Sequence, residues 1–148
     1  MKAFLDSINV QYDQKHSDIS PKGYDKIVVP YRDPAKQFVS LYKRHRDNKV
    51  YKNPFEDILD LSVSQWAGLV DNLEGRDHIT VQVDRPDTSQ LQEVSNYLGG
   101  EHKRVEEFGW PIMHPFGDRP SSIDELSDAQ QCIVLDRLKQ YRKRYGYG

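Results

Sequence analysis

The 148-residue sequence has little of several features that define whole classes of proteins. It holds one cysteine, Cys132, so no disulfide can form within the chain, and we expect a reducing compartment such as the cytoplasm. No stretch approaches the roughly 20 apolar residues of a membrane span. The first residues also lack the apolar core of a signal peptide. We therefore expect no membrane partner.

Clustered metal ligands and a strong excess of one charge are also absent from the sequence. The five histidines are scattered and the cysteine is alone, so no zinc-type spacing occurs. The formal net charge is −2, which argues against bulk electrostatic binding of nucleic acid. We expect neither a metal cofactor nor a nucleic-acid partner.

The composition is polar for a globular protein. Hydrophobic residues make up 36 % and charged residues 30 %, which predicts a thin core, while 11 % aromatics supply a large buried area per residue. The length suits one core, so we predict a single domain over residues 1–148.

The most informative stretch is residues 26–42. The β-branched run at 27–29 predicts a buried strand over 26–31. Asp33 is a suitable N-cap for a following helix, and apolar residues then recur at helical spacing over 34–46. The stretch is therefore predicted to form a strand, a turn and an amphipathic helix.

Such a unit is suited to binding an anion. The end of a parallel strand opens onto the crevice where α/β proteins bind ligands, and a helix N-terminus offers free N–H groups. Arg32 would place a forked cation there, able to hold a phosphate by two bonds, and Ser40 could add a hydroxyl donor. Alternatively, Arg32 pairs with a carboxylate such as that of Asp33, and Ser40 is an ordinary helix residue.

The string Arg-Asp-Pro, five residues, then Ser-Leu-Tyr resembles the 3′-phosphate-binding motif of the sulfotransferase family. Weaker similarity extends over about residues 24–148 and includes the Tyr-Leu-Gly turn at 97–99 and the closing tyrosines. The resemblance implies a P-loop-like fold in which Arg32 and Ser40 hold the 3′-phosphate of the donor, 3′-phosphoadenosine-5′-phosphosulfate. The protein would then transfer a sulfuryl group to a hydroxyl or amine of an acceptor that the sequence does not identify.

Two further residues receive a role only through this resemblance. Several sulfotransferase groups place a catalytic base upstream of the central strand, which makes His16 a candidate general base, with a solvated loop histidine as the alternative. In the family, the region corresponding to 101–120 lies over the nucleotide or near the acceptor. Arg119 is thus a second candidate phosphate ligand, and a surface ion pair is its alternative.

One departure from the family pattern bears on activity. Family members begin with a strand and a phosphate-binding loop whose lysine grips the phosphosulfate, and such a loop needs glycines. Here no glycine precedes Gly23, and no G-x-x-x-x-G-K run occurs. We therefore expect an N-terminally incomplete sulfotransferase-type fold, either an enzyme that is inactive or incomplete as this chain or a non-catalytic nucleotide- or partner-binding module. A kinase-like enzyme is a weaker third interpretation, because a Walker-type loop is absent.

The predicted fold is α/β, with a small parallel sheet flanked by helices. The alternating run His-Ile-Thr-Val-Gln-Val predicts a second strand over 78–83. A sheet of two or three strands without the family's first strand leaves an edge open to pairing, so we expect a homodimer. The alternative is a monomer in which a helix predicted at 1–12 covers the gap.

The remaining helices are predicted from caps and apolar spacing. One begins at Pro54, a second begins at Ser62 or Ser64 and ends at Gly75, and a third precedes Gly99. The last helix is capped by Ser127 and carries an apolar face of Ile133, Val134, Leu138 and Tyr141, with Cys132 in the core. Trp66 is also predicted to be core.

Overall fold

The computed structural model describes residues 25–84, 88–99 and 121–148. These residues form an α/β structure, as predicted. In chain order the elements are β1 (Val28–Tyr31), α1 (Pro34–His45), α2 (Pro54–Leu73), β2 (Ile79–Gln82), α3 (Thr88–Leu98), a 3-10 turn (Ile123–Glu125), α4 (Asp128–Arg137) and α5 (Lys139–Arg144). None of the helices in the described ranges is both long and apolar enough to cross a membrane.

The contacts divide the chain into two compact units. The described part of the first unit comprises residues 25–31, 71–84 and 88–99, and that of the second comprises 32–70 and 121–148. The single domain over residues 1–148 stays a prediction.

The first unit contains a two-stranded parallel sheet. β1 runs beside β2, with Val28 opposite Ile79 and Tyr31 opposite Gln82. Two further bonds flank this register: the Ile79 N–H donates to the Ile27 carbonyl at 2.9 Å, and the Val83 N–H donates to the Tyr31 carbonyl at 2.8 Å. The predicted small parallel sheet is confirmed, and both strands lie within their predicted bounds.

Helix α3 packs against β2 and forms hydrogen bonds with β2 and with the residue that precedes β1. Its residues Leu91 and Val94 are buried, as is Val81 of β2. The Gln82 N–H donates to the side chain of Gln90 at 2.9 Å, and the Ile27 N–H donates to the Tyr97 hydroxyl at 3.3 Å. Burial raises the pKa of Tyr97, and the hydrogen bond from the Ile27 N–H opposes this shift only in part.

The second unit has an aromatic core. Phe38 and Tyr42 of α1 stack with ring centroids 5.8 Å apart, and the ring of Phe55 meets the ring of Phe38 edge-on at 5.5 Å. Trp66 stacks on Tyr141 at 6.3 Å and is 5 % exposed, so its predicted core position is confirmed. Large aromatic rings thus supply the buried area that the polar composition otherwise limits.

The predicted break between two helices at residues 62–64 is wrong. The structure has one helix, α2, from Pro54 to Leu73, and Ser62 is 2 % exposed within it. Serine favours helix starts, yet no proline or glycine interrupts residues 55–67 and the apolar spacing continues through them, so packing overrides the local preference. The predicted end is right: the Arg76 N–H donates to the Leu73 carbonyl, and Gly75 has φ +70°.

The C-terminal helix differs from the prediction in two ways. It divides at Leu138 (φ −100°, ψ 3°) into α4 and α5, and both Cys132 and Ile133 are exposed, the latter by 47 %. Val134 and Leu138 are fully buried, four residues apart. Cys132 precedes Val134 by two residues, which places it about 200° around the helix, on the opposite side. The predicted helix at 1–12 and the segment 101–120 lie outside the described residues.

Candidate anion-binding site at the start of helix α1

Helix α1 begins with a complete side-chain cap. The Asp33 carboxylate accepts a hydrogen bond from the Ala35 N–H at 2.9 Å, and the Asp33 carbonyl accepts one from the Gln37 N–H at 2.9 Å. Pro34, which has no N–H to satisfy, occupies the first helical position. The predicted cap and helix start are confirmed, and Arg32 is therefore the residue between the end of β1 and the cap.

The cap is joined to the C-terminal helix by an ion pair that the sequence did not reveal. Arg142 of α5 donates from Nε to Asp33 Oδ1 at 3.0 Å and from Nη2 to Asp33 Oδ2 at 3.3 Å. The two side chains are 23 % and 11 % exposed, so the pair is largely shielded from water. From the sequence, Arg142 reads only as one of three cations in the last turn of a helix. Its partner lies 109 residues away, and no local pattern indicates the contact.

Ser40 lies further along the same helix and is 4 % exposed. Seven residues make almost two full turns, so Ser40 lies on the side of α1 where the Asp33 cap begins, about 10 Å along the axis. Between them in sequence, Gln37 carries a buried side-chain oxygen that accepts no hydrogen bond from the part of the chain that the structure describes. Such an acceptor is available to an N–H or O–H donor.

The other two predicted site residues, His16 and Arg119, lie outside the described residues. The basic run at 43–46 ends α1 instead of beginning it, and Lys43 Nζ pairs with Glu125 Oε1 at 2.9 Å. Part of that charge is therefore compensated within the second unit.

An open depression of about 440 Å³ lies at the other end of α1. Its lining includes the aromatic residues Tyr42 and Phe55 and the charged residues Arg46, Asp47 and Glu56. Twelve residues of helix separate Pro34 from Arg46, about 18 Å along the axis. The depression is thus distinct from the predicted phosphate site, and its mixed charges give it no preference for an anion.

Across the described ranges, no three acidic, histidine or cysteine side chains converge as a metal site would require. No family model, curated protein or solved structure matches the chain. The functional assignment therefore depends on the residues themselves, and the sulfotransferase resemblance stays a hypothesis.

Proposed function

We propose that this chain is a sulfotransferase-like protein that binds 3′-phosphoadenosine-5′-phosphosulfate, with Arg32 and Ser40 holding the 3′-phosphate. An active form would move the sulfuryl group to a hydroxyl or amine acceptor. The finer fold that we propose is the P-loop-like sulfotransferase type, without a recognisable loop for the phosphosulfate end.

One observation carries the proposal: the Arg-Asp-Pro-x5-Ser string folds as the cap and first two turns of α1. Asp33 caps the helix at 2.9 Å from the Ala35 N–H, which places Arg32 directly before the first N–H groups of the helix. The positive end of the helix dipole favours an anion at such a position. A guanidinium there adds two directed donors for phosphate oxygens. Ser40, on the same side of α1, supplies the hydroxyl.

A non-catalytic binding module on the same scaffold is the second candidate function. It is favoured by the lack of a G-x-x-x-x-G-K run, because a phosphosulfate held at one end alone is poorly positioned for transfer. Such a module binds either the nucleotide or a partner, and only the first candidate transfers sulfate.

Calorimetric titration with adenosine 3′,5′-bisphosphate tests nucleotide binding, which the sulfotransferase and a nucleotide-binding module share. We expect saturable binding with one site per chain. A wild-type chain that binds none of this ligand at millimolar concentration would remove both nucleotide-binding candidates and leave only a partner-binding scaffold.

Transfer of radiolabelled sulfate separates the two candidates. Because the main anchor for the phosphosulfate is missing from the sequence, we expect little or no transfer to a generic phenol or sugar by the isolated chain. Robust turnover would show that another group, such as Arg119 or another residue outside the described ranges, binds the phosphosulfate instead.

A further inference from the structure

We infer that Arg142 is a positioning residue of the proposed phosphate site: it holds the Asp33 carboxylate in its capping position and cancels its charge. The inference rests on the proposed function, and it adds a residue from the C-terminal helix to the predicted pair of Arg32 and Ser40.

The motif itself creates an electrostatic problem. Asp33 stands next to the arginine proposed to bind phosphate and is 8 % exposed, so solvent screens its charge weakly. Its Oδ1 also accepts from the Ala35 N–H, one of the groups that an anion at a helix N-terminus uses. An uncompensated carboxylate here would repel a phosphate.

The geometry of Arg142 answers this problem. Its Nε and Nη2 each face a different oxygen of Asp33, at 3.0 and 3.3 Å, so the planar guanidinium fixes both the position and the orientation of the carboxylate. By contrast, the pair between Arg137 and Asp60 uses a single bond of 2.8 Å, and its side chains are 41 % and 64 % exposed. Without this pair, the charge of Asp33 would oppose the attraction of Arg32 and the helix dipole for a phosphate. The shielded pair cancels that charge.

Helix α5 is packed into the second unit immediately before this contact. Leu138, at its start, is fully buried, and Tyr141, the residue before Arg142, is 7 % exposed. The guanidinium is therefore carried by a packed segment, as a positioning residue requires.

Binding of adenosine 3′,5′-bisphosphate to the full chain tests the inference through three variants. Arg142→Gln keeps the charge of Asp33 and removes its ion pair with Arg142, and we expect binding at least roughly tenfold weaker than wild type. Asp33→Asn keeps a good cap without the charge, and we expect binding at least as tight as wild type. In the double variant, Asp33→Asn should restore the affinity lost in Arg142→Gln to within about threefold of wild type.

The double variant distinguishes positioning from mere stabilisation. It lacks the ion pair just as Arg142→Gln does, so a purely structural role predicts that it binds as poorly as the single variant. Arg137→Gln is the matched control, since it breaks an ion pair in the same unit, and it should bind like wild type.

Each result decides one question. Absence of wild-type binding overturns the proposed function and this inference with it. Wild-type binding that Arg142→Gln leaves unchanged, or that the double variant fails to restore, overturns the inference alone. Should Arg142→Gln not fold, Asp33→Asn alone tests the role of the charge, because it keeps the cap and removes the charge. A tenfold loss of binding in Asp33→Asn would then contradict the inference.

Discussion

Replacing Asp33 by alanine tests whether the start of α1 is built as the structure indicates. The change removes the N-cap bond to the Ala35 N–H, which is worth about 1 kcal/mol. It also removes the acceptor of two bonds from Arg142, and hydrogen bonds to charged groups contribute roughly 1.5–3 kcal/mol. Arg142 is 23 % exposed and regains some hydration, so we expect the free energy of unfolding to fall by about 2–4 kcal/mol in total.

Urea denaturation of the full chain measures this loss, and two further variants make it specific. Asp33→Asn keeps the cap and should lose about half as much. Asp60→Ala breaks the exposed pair with Arg137 and should change the free energy of unfolding by less than about 1 kcal/mol. The reasoning is refuted if Asp33→Ala costs no more than Asp60→Ala, or if asparagine at position 33 is as damaging as alanine.

Three other predictions follow from the core, the tyrosines and the sheet edge. Phe38 is fully buried, so Phe38→Ala should lower the free energy of unfolding by about 3–5 kcal/mol. Val50 is 79 % exposed, so Val50→Ala should change it by less than about 0.5 kcal/mol. Equal effects of the two variants in urea denaturation would contradict the aromatic core. Burial raises the pKa of Tyr97 and Tyr145 above 10.0, so the folded chain holds these protons more tightly than the unfolded chain. The stability that these tyrosines contribute is then complete below about pH 10 and falls as the pH rises above it. With rising pH, the midpoint of urea unfolding should therefore fall less for Tyr145→Phe than for wild type. We also expect a homodimer of 17.3 kDa chains that pair along the edge of the small sheet, and a monomer mass by light scattering at high concentration would favour the self-capped form.

Local patterns predicted the local structure well. The β-branched run at 27–29 and the alternating run at 78–83 predicted the two strands, because both patterns suit a half-buried pleated surface. Asp33 with Pro34 predicted the start of α1, and Ser127 predicted the start of α4, since a cap depends on a few adjacent residues.

The errors arose where packing decides between local alternatives. Ser62 reads as a cap, yet it lies buried inside α2, because the burial of its neighbours on the same face outweighs a weak preference. Cys132 and Ile133 are apolar but face outwards, since Val134 and Leu138 define the buried side of the helix.

Only part of the candidate site could be predicted from the sequence, for a similar reason. Arg32, Asp33 and Ser40 are close in sequence and form a recognisable string. Arg142 reaches Asp33 only after the chain has folded, across 109 residues, and nothing about the cations of the last helix indicates which of them turns inwards.

The central claim is that Arg32 binds a nucleotide phosphate, and calorimetry of Arg32→Ala tests it most directly. Two hydrogen bonds from the guanidinium, at roughly 1.5–3 kcal/mol each, predict that adenosine 3′,5′-bisphosphate binds at least tenfold more weakly to this variant. Lys36→Ala removes an exposed cation from the first turn of the same helix, and at about 0.15 M salt it should change the affinity by no more than about twofold. Equal affinities for wild type and Arg32→Ala, or equal losses in the two variants, would contradict a specific phosphate site at Arg32.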